Sequence, residues 1–267
     1  MSFLRLYDNC RLYYQFIDSD KAKPVVVFLN GTAQTTKSWW LQAKDLQGQF
    51  RILLYDARGQ GQSDLGKKEL TLDGHIYDLV QLLDYLGVNI SHLVGLSHGA
   101  RVACEFGQRY PDRTNRVVLC GLGNDLSPRT LALIESWYQV LKSGNLETLA
   151  WSMLPVVFGG QYLEKHKAIM KDMVSGIVRR NSADAIKVHL KSMVRYLSIG
   201  DMIFDKYPPA LVVTGKQDAI IQINQSRILA EKLGAHLIQL KGVGHSPNIE
   251  APGAFNQIIA QFLLATK

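Results

Sequence analysis

Short runs of apolar, often β-branched residues recur along the chain, separated by stretches with helical spacing. The runs are Val25–Leu29, Ile52–Tyr55, Leu93–Leu96, Val117–Cys120, Leu211–Thr214 and Leu237–Leu240. Near-continuous apolar runs are what strands of a parallel sheet require, because crossover helices cover both of its faces. Between them, Ile76, Leu79, Val80, Leu82, Leu83 and Leu86 form one wide helical stripe that Gly87 ends. A second helix is predicted from His98 to about Arg109, and Ala254–Leu264 reads as a closing C-terminal helix. The first residues, through Phe16, alternate like a strand pair. Strands alternating with helices predict an α/β fold with a mostly parallel sheet.

This rhythm stops between about Asp125 and Lys206. Helical segments are predicted there at Pro128–Leu141, Leu146–Met153, Tyr162–Val178 and Ala183–Leu197, with no convincing strand. The reading is a core in two parts, residues 1–124 and 206–267, with a helical cap inserted at 125–205. The insertion carries several large apolar residues, most of them expected to pack between cap and core. Trp137, Trp151, Leu154 and Phe158 are the candidates to line an apolar substrate pocket.

Composition changes this picture little. A chain of 267 residues holds one large domain or a domain with an insertion. No apolar run approaches the roughly 18–20 residues of a membrane span. Arg5, Asp8 and Arg11 interrupt the N-terminal segment, so no signal-peptide stretch is expected. Cys10, Cys104 and Cys120 show neither a disulfide framework nor metal-ligand spacing, which points to a reducing, cytoplasmic compartment. The net charge of +7 raises the question of an acidic partner, but no nucleic-acid-binding motif accompanies it. Nothing in the chain specifies an oligomeric state.

The strongest chemical signal is Gly95-Leu96-Ser97-His98-Gly99, directly after one strand and before one helix. That context is what a G-x-S-x-G nucleophile elbow requires: the turn is too tight for side chains two residues either side of the serine. A serine hydroxyl attacks only when a base takes its proton. Of the seven histidines, His245 follows the last strand and returns to the sheet end where the elbow lies. His98 should turn its ring away from the serine and contribute its backbone N–H. His75 and His92 read as surface or helix-start residues, and His189 as a solvated helix histidine. Asp218, after the penultimate strand, is the acid expected to orient the base, with Asp125 as runner-up. The oxyanion donors are expected to be the N–H groups of His98 and of Thr32, in the loop after the first core strand.

These residues together resemble the α/β-hydrolase family, whose catalytic order is Ser, Asp, His. Asp56-Ala57-Arg58-Gly59-Gln60-Gly61-Gln62-Ser63 is similar to the family's D-x-R-G-x-G-x-S loop, which is mainly structural. Tyr110-Pro111-Asp112-Arg113 before the next strand also resembles many members. Gly244 to Glu250 followed by Ala254-Phe255 resembles the 3-oxoadipate enol-lactonase and carrier-protein methyl esterase branch. Two departures stand out: Asn30 replaces the usual histidine before Gly31, and Ala100 replaces a frequent second glycine.

The resemblance implies an α/β-hydrolase fold and a serine hydrolase with Ser97 as nucleophile, His245 as base and Asp218 as acid. No metal or organic cofactor is implied. The expected reaction is cleavage of a carboxylic ester through an acyl-enzyme, with the methyl ester of a carrier-protein-bound acyl chain as one candidate. From Gln161 to Gly200, Lys165, Lys167, Lys171, Arg179, Arg180, Lys187, Lys191 and Arg195 outnumber three acids, so the cap carries charge that an acidic acyl carrier protein would complement. A small-molecule lactonase or a thioesterase is the alternative. A small anionic lactone calls for an arginine or lysine inside the pocket, and the sequence places none there. A ligand receptor on the same fold is the alternative from another class, although a receptor needs no base.

Overall fold

In a computed structural model, residues 2–17 and 20–265 are described. The outer ends of the expected two-part core, residues 1 and 266–267, lie outside them. Eight strands form one sheet: β1 (Ser2–Arg5), β2 (Arg11–Ile17), β3 (Val25–Leu29), β4 (Arg51–Tyr55), β5 (Ser91–Leu96), β6 (Thr114–Cys120), β7 (Ala210–Gly215) and β8 (His236–Leu240). Their order across the sheet is β1-β2-β4-β3-β5-β6-β7-β8. The first two pair antiparallel at one edge, and every pair from β4 to β8 is parallel.

Side chains alternate across the sheet with period two, so each strand feeds two cores. Val25, Val27 and Leu29 face one core with Leu53, Leu93, Val117 and Val212. Val26 and Phe28 face the other with Ile52, Leu54, Val94, Val118 and Val213. Helices α2 (Leu72–Tyr85), α3 (His98–Arg109) and α9 (Ile223–Leu233) cover the first face through Leu79, Leu82, Val102, Phe106 and Leu229. Helices α1 (Trp40–Leu46) and α11 (Pro252–Leu264) cover the second through Ala43, Leu46, Phe255, Ile259 and Leu263. A short turn, α10 (Pro247–Glu250), precedes α11.

Between β6 and β7 the chain forms α4 (Pro128–Lys142), α5 (Leu146–Val157), α6 (Gly160–Lys165), α7 (Met170–Arg180) and α8 (Ala183–Met193). Local chemistry starts three of them: the side chains of Ser127, Asn145 and Ser182 accept the N–H groups of Thr130, Thr148 and Ala185. These helices bury their own core, in which Ile134, Trp137, Leu141, Leu149, Met153, Ile186 and Leu190 meet Ile220 and Ile221. The single helix expected over Tyr162–Val178 is instead two. His166 leaves the helical conformation at ψ 17°, and its Nδ1 lies 2.8 Å from the Tyr162 carbonyl oxygen. The helix expected to reach Leu197 ends at Met193.

Candidate active site

The parallel strands β3 and β5 are neighbours, and the chain leaves them in opposite directions across the sheet. Such a switch point opens a crevice beyond the strand ends, where α/β sheets bind ligands. The loop after β3 and the turn after β5 both open into it. At the turn, Ser97 has φ 53° and ψ −116°, a backbone conformation that costs free energy in a non-glycine residue. A Cβ on Gly95 would lie 2.4 Å from the Gly99 carbonyl oxygen, and one on Gly99 would lie 2.2 Å from that of Leu29. The two glycines are therefore what lets α3 approach β3 and β5 and holds Ser97 at the sharp turn.

His245 follows β8 in a loop that packs against the sheet end. Its Nδ1 lies 2.8 Å from Asp218 Oδ2, and both side chains are buried. Asp218 in turn accepts the N–H groups of Ile220 and Ile221 on Oδ1, at 2.8 and 2.9 Å. Those two bonds fix the carboxylate, and the carboxylate fixes the ring. Gly121, at φ 56°, makes room for the imidazole, since a Cβ there would stand 2.7 Å from His245 Cε1. The other ring nitrogen, Nε2, is buried and bonds no described residue. The alternative acid, Asp125, reaches the cavity, but among the described residues its carboxylate accepts only the neighbouring N–H, from Leu126 at 2.8 Å.

Ser97, His98, Thr32 and His245 line one cavity of about 290 Å³. The N–H groups of Thr32 and His98 donate to no described residue. Asn30 holds the first of these two loops. Its Nδ2 donates to the Tyr55 carbonyl at 2.9 Å, and its Oδ1 accepts from Trp39 Nε1 at 3.0 Å. Gln34 folds back to accept the Gly31 N–H at 3.1 Å, and Thr32 Oγ1 contacts Met193 Sδ at 3.3 Å.

The cavity walls come from the helices between β6 and β7. Trp137, Leu154 and Phe158 line it, joined by Met153, Ile177 and Met193. Trp151 does not: it is 39% exposed and outside the cavity. With roughly 100° between successive residues of a helix, it falls on the far side of the face that Leu149, Met153 and Val157 share. Two cations that sequence reading left unplaced do reach the cavity, Arg101 and Arg180. Arg101 Nη2 donates to Glu105 Oε1 at 2.5 Å, whereas Arg180 has no ion pair among the described residues. The signal for Arg180 was present in the spacing: Met173, Ile177 and Arg180 form one stripe of α7.

Glu250 is a second residue that sequence reading passed over. Its Oε2 accepts the N–H groups of Gly159 and Gly244, both at 2.8 Å, and its Oε1 accepts that of Ser246 at 3.0 Å. Burial raises the pKa of this carboxyl, against the pull of those three donors. The His245 N–H donates to the Val157 carbonyl at 2.8 Å. The histidine loop is thus tied to the end of α5 from both sides.

His236 is exposed and His166 half-buried, but the histidines expected at the surface or in solvated helix positions are not there. His75, His92 and His189 are all buried, and His98 with them. Burial, added to neighbouring histidine and arginine groups, pushes His75 and His98 well down, and burial takes His189 to about 4 against its bond to the Arg58 carbonyl. His98 does turn its ring away from Ser97, and packs it against His75 and His189.

A family model for the alpha/beta hydrolase fold matches residues 24–252. The chain belongs to that family: a hydrolase by its family and by the names its relatives carry. It is 25% identical over 248 residues to the protein named "Putative carbamate hydrolase RutD" of Caulobacter sp., covering 90% of this chain and 91% of that one. It is 23% identical to 3-oxoadipate enol-lactonase 1 of Acinetobacter baylyi, covering 92% and 91%. Among solved structures, an alpha/beta hydrolase enzyme from a Medee basin deep-sea metagenome library superposes with a TM-score of 0.93. That protein is 26% identical, with 100% of this chain and 98% of the other covered. Among the described residues, no helix is long and apolar enough to cross a membrane.

Proposed function

We propose that the protein is a serine hydrolase of small esters or lactones that carry an anionic group. The observation that supports this most is the Asp218–His245 pair, whose free Nε2 borders the same cavity as Ser97. In this reading His245 Nε2 takes the Ser97 proton as Oγ attacks a carbonyl carbon. Asp218 holds the Nδ1–H tautomer and stabilises the imidazolium that forms. The developing oxyanion is met by the free N–H groups of Thr32 and His98. His245 then returns the proton to the leaving oxygen, and water, activated the same way, releases the acid. The serine–histidine hydrogen bond is one that commonly tightens only with substrate bound. Residues 125–205 act as the cap that sets substrate size, and the free, buried thiols of Cys10, Cys104 and Cys120 suit a reducing compartment.

The anionic preference rests on Arg180, a guanidinium that lines the cavity beside Met173 and Ile177 and has no ion pair among the described residues. The carrier-protein reading is weaker, because the basic stretch is partly neutralised within the fold. Lys167 pairs with Glu164, Lys187 with Asp184 and Arg195 with Glu69, while Lys191 sits over the Tyr138 ring.

One comparison tests both parts: kcat/KM for a small neutral ester, the same ester bearing a terminal carboxylate, and its carrier-protein conjugate. The carboxylate ester should be best, and Arg180→Gln should cost it about tenfold, chiefly in KM, while sparing the neutral ester. Ser97→Ala should remove about 10⁴-fold or more of the activity on every substrate. Activity of Ser97→Ala near wild type would overturn the mechanism. A preference for the conjugate that shrinks with salt would replace the small-molecule reading with a docked carrier.

A further inference from the structure

Three of the buried histidines come from distant parts of the chain and meet. His75 lies on α2, His98 opens α3 and His189 lies on α8, and one ring nitrogen from each lies within 4.8 Å of the other two. The ring centroids are 4.7, 5.2 and 5.3 Å apart. Each ring keeps a buried nitrogen with no hydrogen bond: Nε2 of His75, Nδ1 of His98 and Nδ1 of His189. Buried polar atoms are normally satisfied, so an unsatisfied nitrogen on each of three clustered rings needs a reason.

We propose that His75, His98 and His189 bind a divalent transition-metal ion, with zinc the ion the donor set suits. Neutral imidazole is the ligand form zinc takes, and a ligating histidine ordinarily gives its other N–H to a carbonyl or similar acceptor. His189 meets that description: its Nε2 lies 2.8 Å from the Arg58 carbonyl oxygen, which accepts only from an N–H and so leaves Nδ1 bare. His98 Nε2 lies 3.1 Å from the Tyr196 hydroxyl, and with that hydroxyl accepting its N–H, the unbonded Nδ1 is bare as well. Zinc bound tetrahedrally at 2.0–2.1 Å places its ligand nitrogens about 3.4 Å apart and the ring centroids about 5.2 Å apart. The centroids already stand near that spacing, so small ring rotations bring the nitrogens in.

The nearby arginines do not forbid a cation. Arg58 donates to Asp78 and Asp8 at 2.7–2.9 Å, and Arg101 to Glu105. An ion here would pin α8, which carries Leu190 and Met193 of the cavity wall, to the first residue of α3. The rings are only 1–2% exposed, so the ion enters during folding or when α8 lifts.

The test uses untagged, full-length protein stripped with a chelator and then equilibrated with Zn²⁺ or Co²⁺. Elemental analysis should find one zinc per chain. Cobalt should give intense tetrahedral absorption without a thiolate charge-transfer band. With free zinc a hundredfold above Kd, the thermal midpoint should rise by roughly 5–10 °C. His75→Phe and His189→Phe should each abolish the stoichiometric zinc and the shift. Zinc well below one per chain in the wild-type protein, or stoichiometry unchanged in both variants, overturns the proposal. Should a variant fail to fold, the wild-type cobalt spectrum decides: thiolate bands or a weak octahedral spectrum overturn it as well.

Discussion

Two groups of imidazoles lie on either side of the Ser97 elbow, and they are built on opposite terms. His245 has a carboxylate on one nitrogen and an open cavity beside the other. Among the described residues His75, His98 and His189 have no carboxylate partner, and burial favours their neutral form. The residue type is the same; what differs is whether a negative group was brought in with the ring. An imidazole sealed with an acid is a proton carrier, and one sealed without an acid is a neutral donor or ligand. His92 belongs to the second kind, with its ring edge against Phe50 and Nε2 3.2 Å from Asn115 Nδ2.

The contrast breaks most easily at the acid. Asp218→Asn should lower kcat/KM by about 10⁴-fold, because the amide favours the wrong imidazole tautomer. Asp125→Asn, which touches neither His245 nor its loop, should stay near wild type. Equal losses would place the orienting acid elsewhere.

The next largest effect concerns a sealed ring. Burial, with Arg116 nearby, pushes His92 down to about 4, below the ordinary histidine value. Between those values the unfolded chain binds the proton and the folded one does not, so the stability this ring allows is complete above about pH 6.5. It is lost as the pH falls toward 4, by up to about 3 kcal/mol. Urea midpoints measured from pH 7 to 4 should fall, and His92→Gln should flatten the slope. A slope unchanged by that substitution would mean that His92 is not the group titrating.

The smallest effect sharpens the His245 side. Glu250→Gln keeps the shape but leaves one acceptor oxygen for three N–H donors. It should cost about 1–3 kcal/mol in stability. Activity should fall with it, because the loop that carries His245 loosens. Loss of stability with kcat unchanged would make Glu250 a purely structural anchor.

The elbow and the sheet were legible because their signals are local. Gly95 and Gly99 stand at fixed spacing around Ser97, and strands covered on both faces must be apolar throughout. The order Ser97, Asp218, His245 could be read from which loops leave the same sheet end. Burial of a single side chain is a tertiary property, and there the reading failed. Trp151 looked like a pocket aromatic until the phase of α5 turned it outward. His75 and His189 looked solvated because polar residues on an amphipathic helix usually are; packing of α8 against α2 and α3 made them core. Arg180 was counted as one of eight basic surface residues, although its spacing from Met173 and Ile177 already placed it on the inner stripe.

The tie between the histidine loop and α5 limits how substrate can reach Ser97. A lid hinged so as to swing away at Phe158 would have to break the Val157–His245 backbone bond and pull Gly159 from Glu250. Opening at that corner would disassemble the base at the moment substrate arrives. Substrate therefore has to reach Ser97 without that corner coming apart, and the exposed Arg180 on the cavity wall is a charge that an incoming anion would meet.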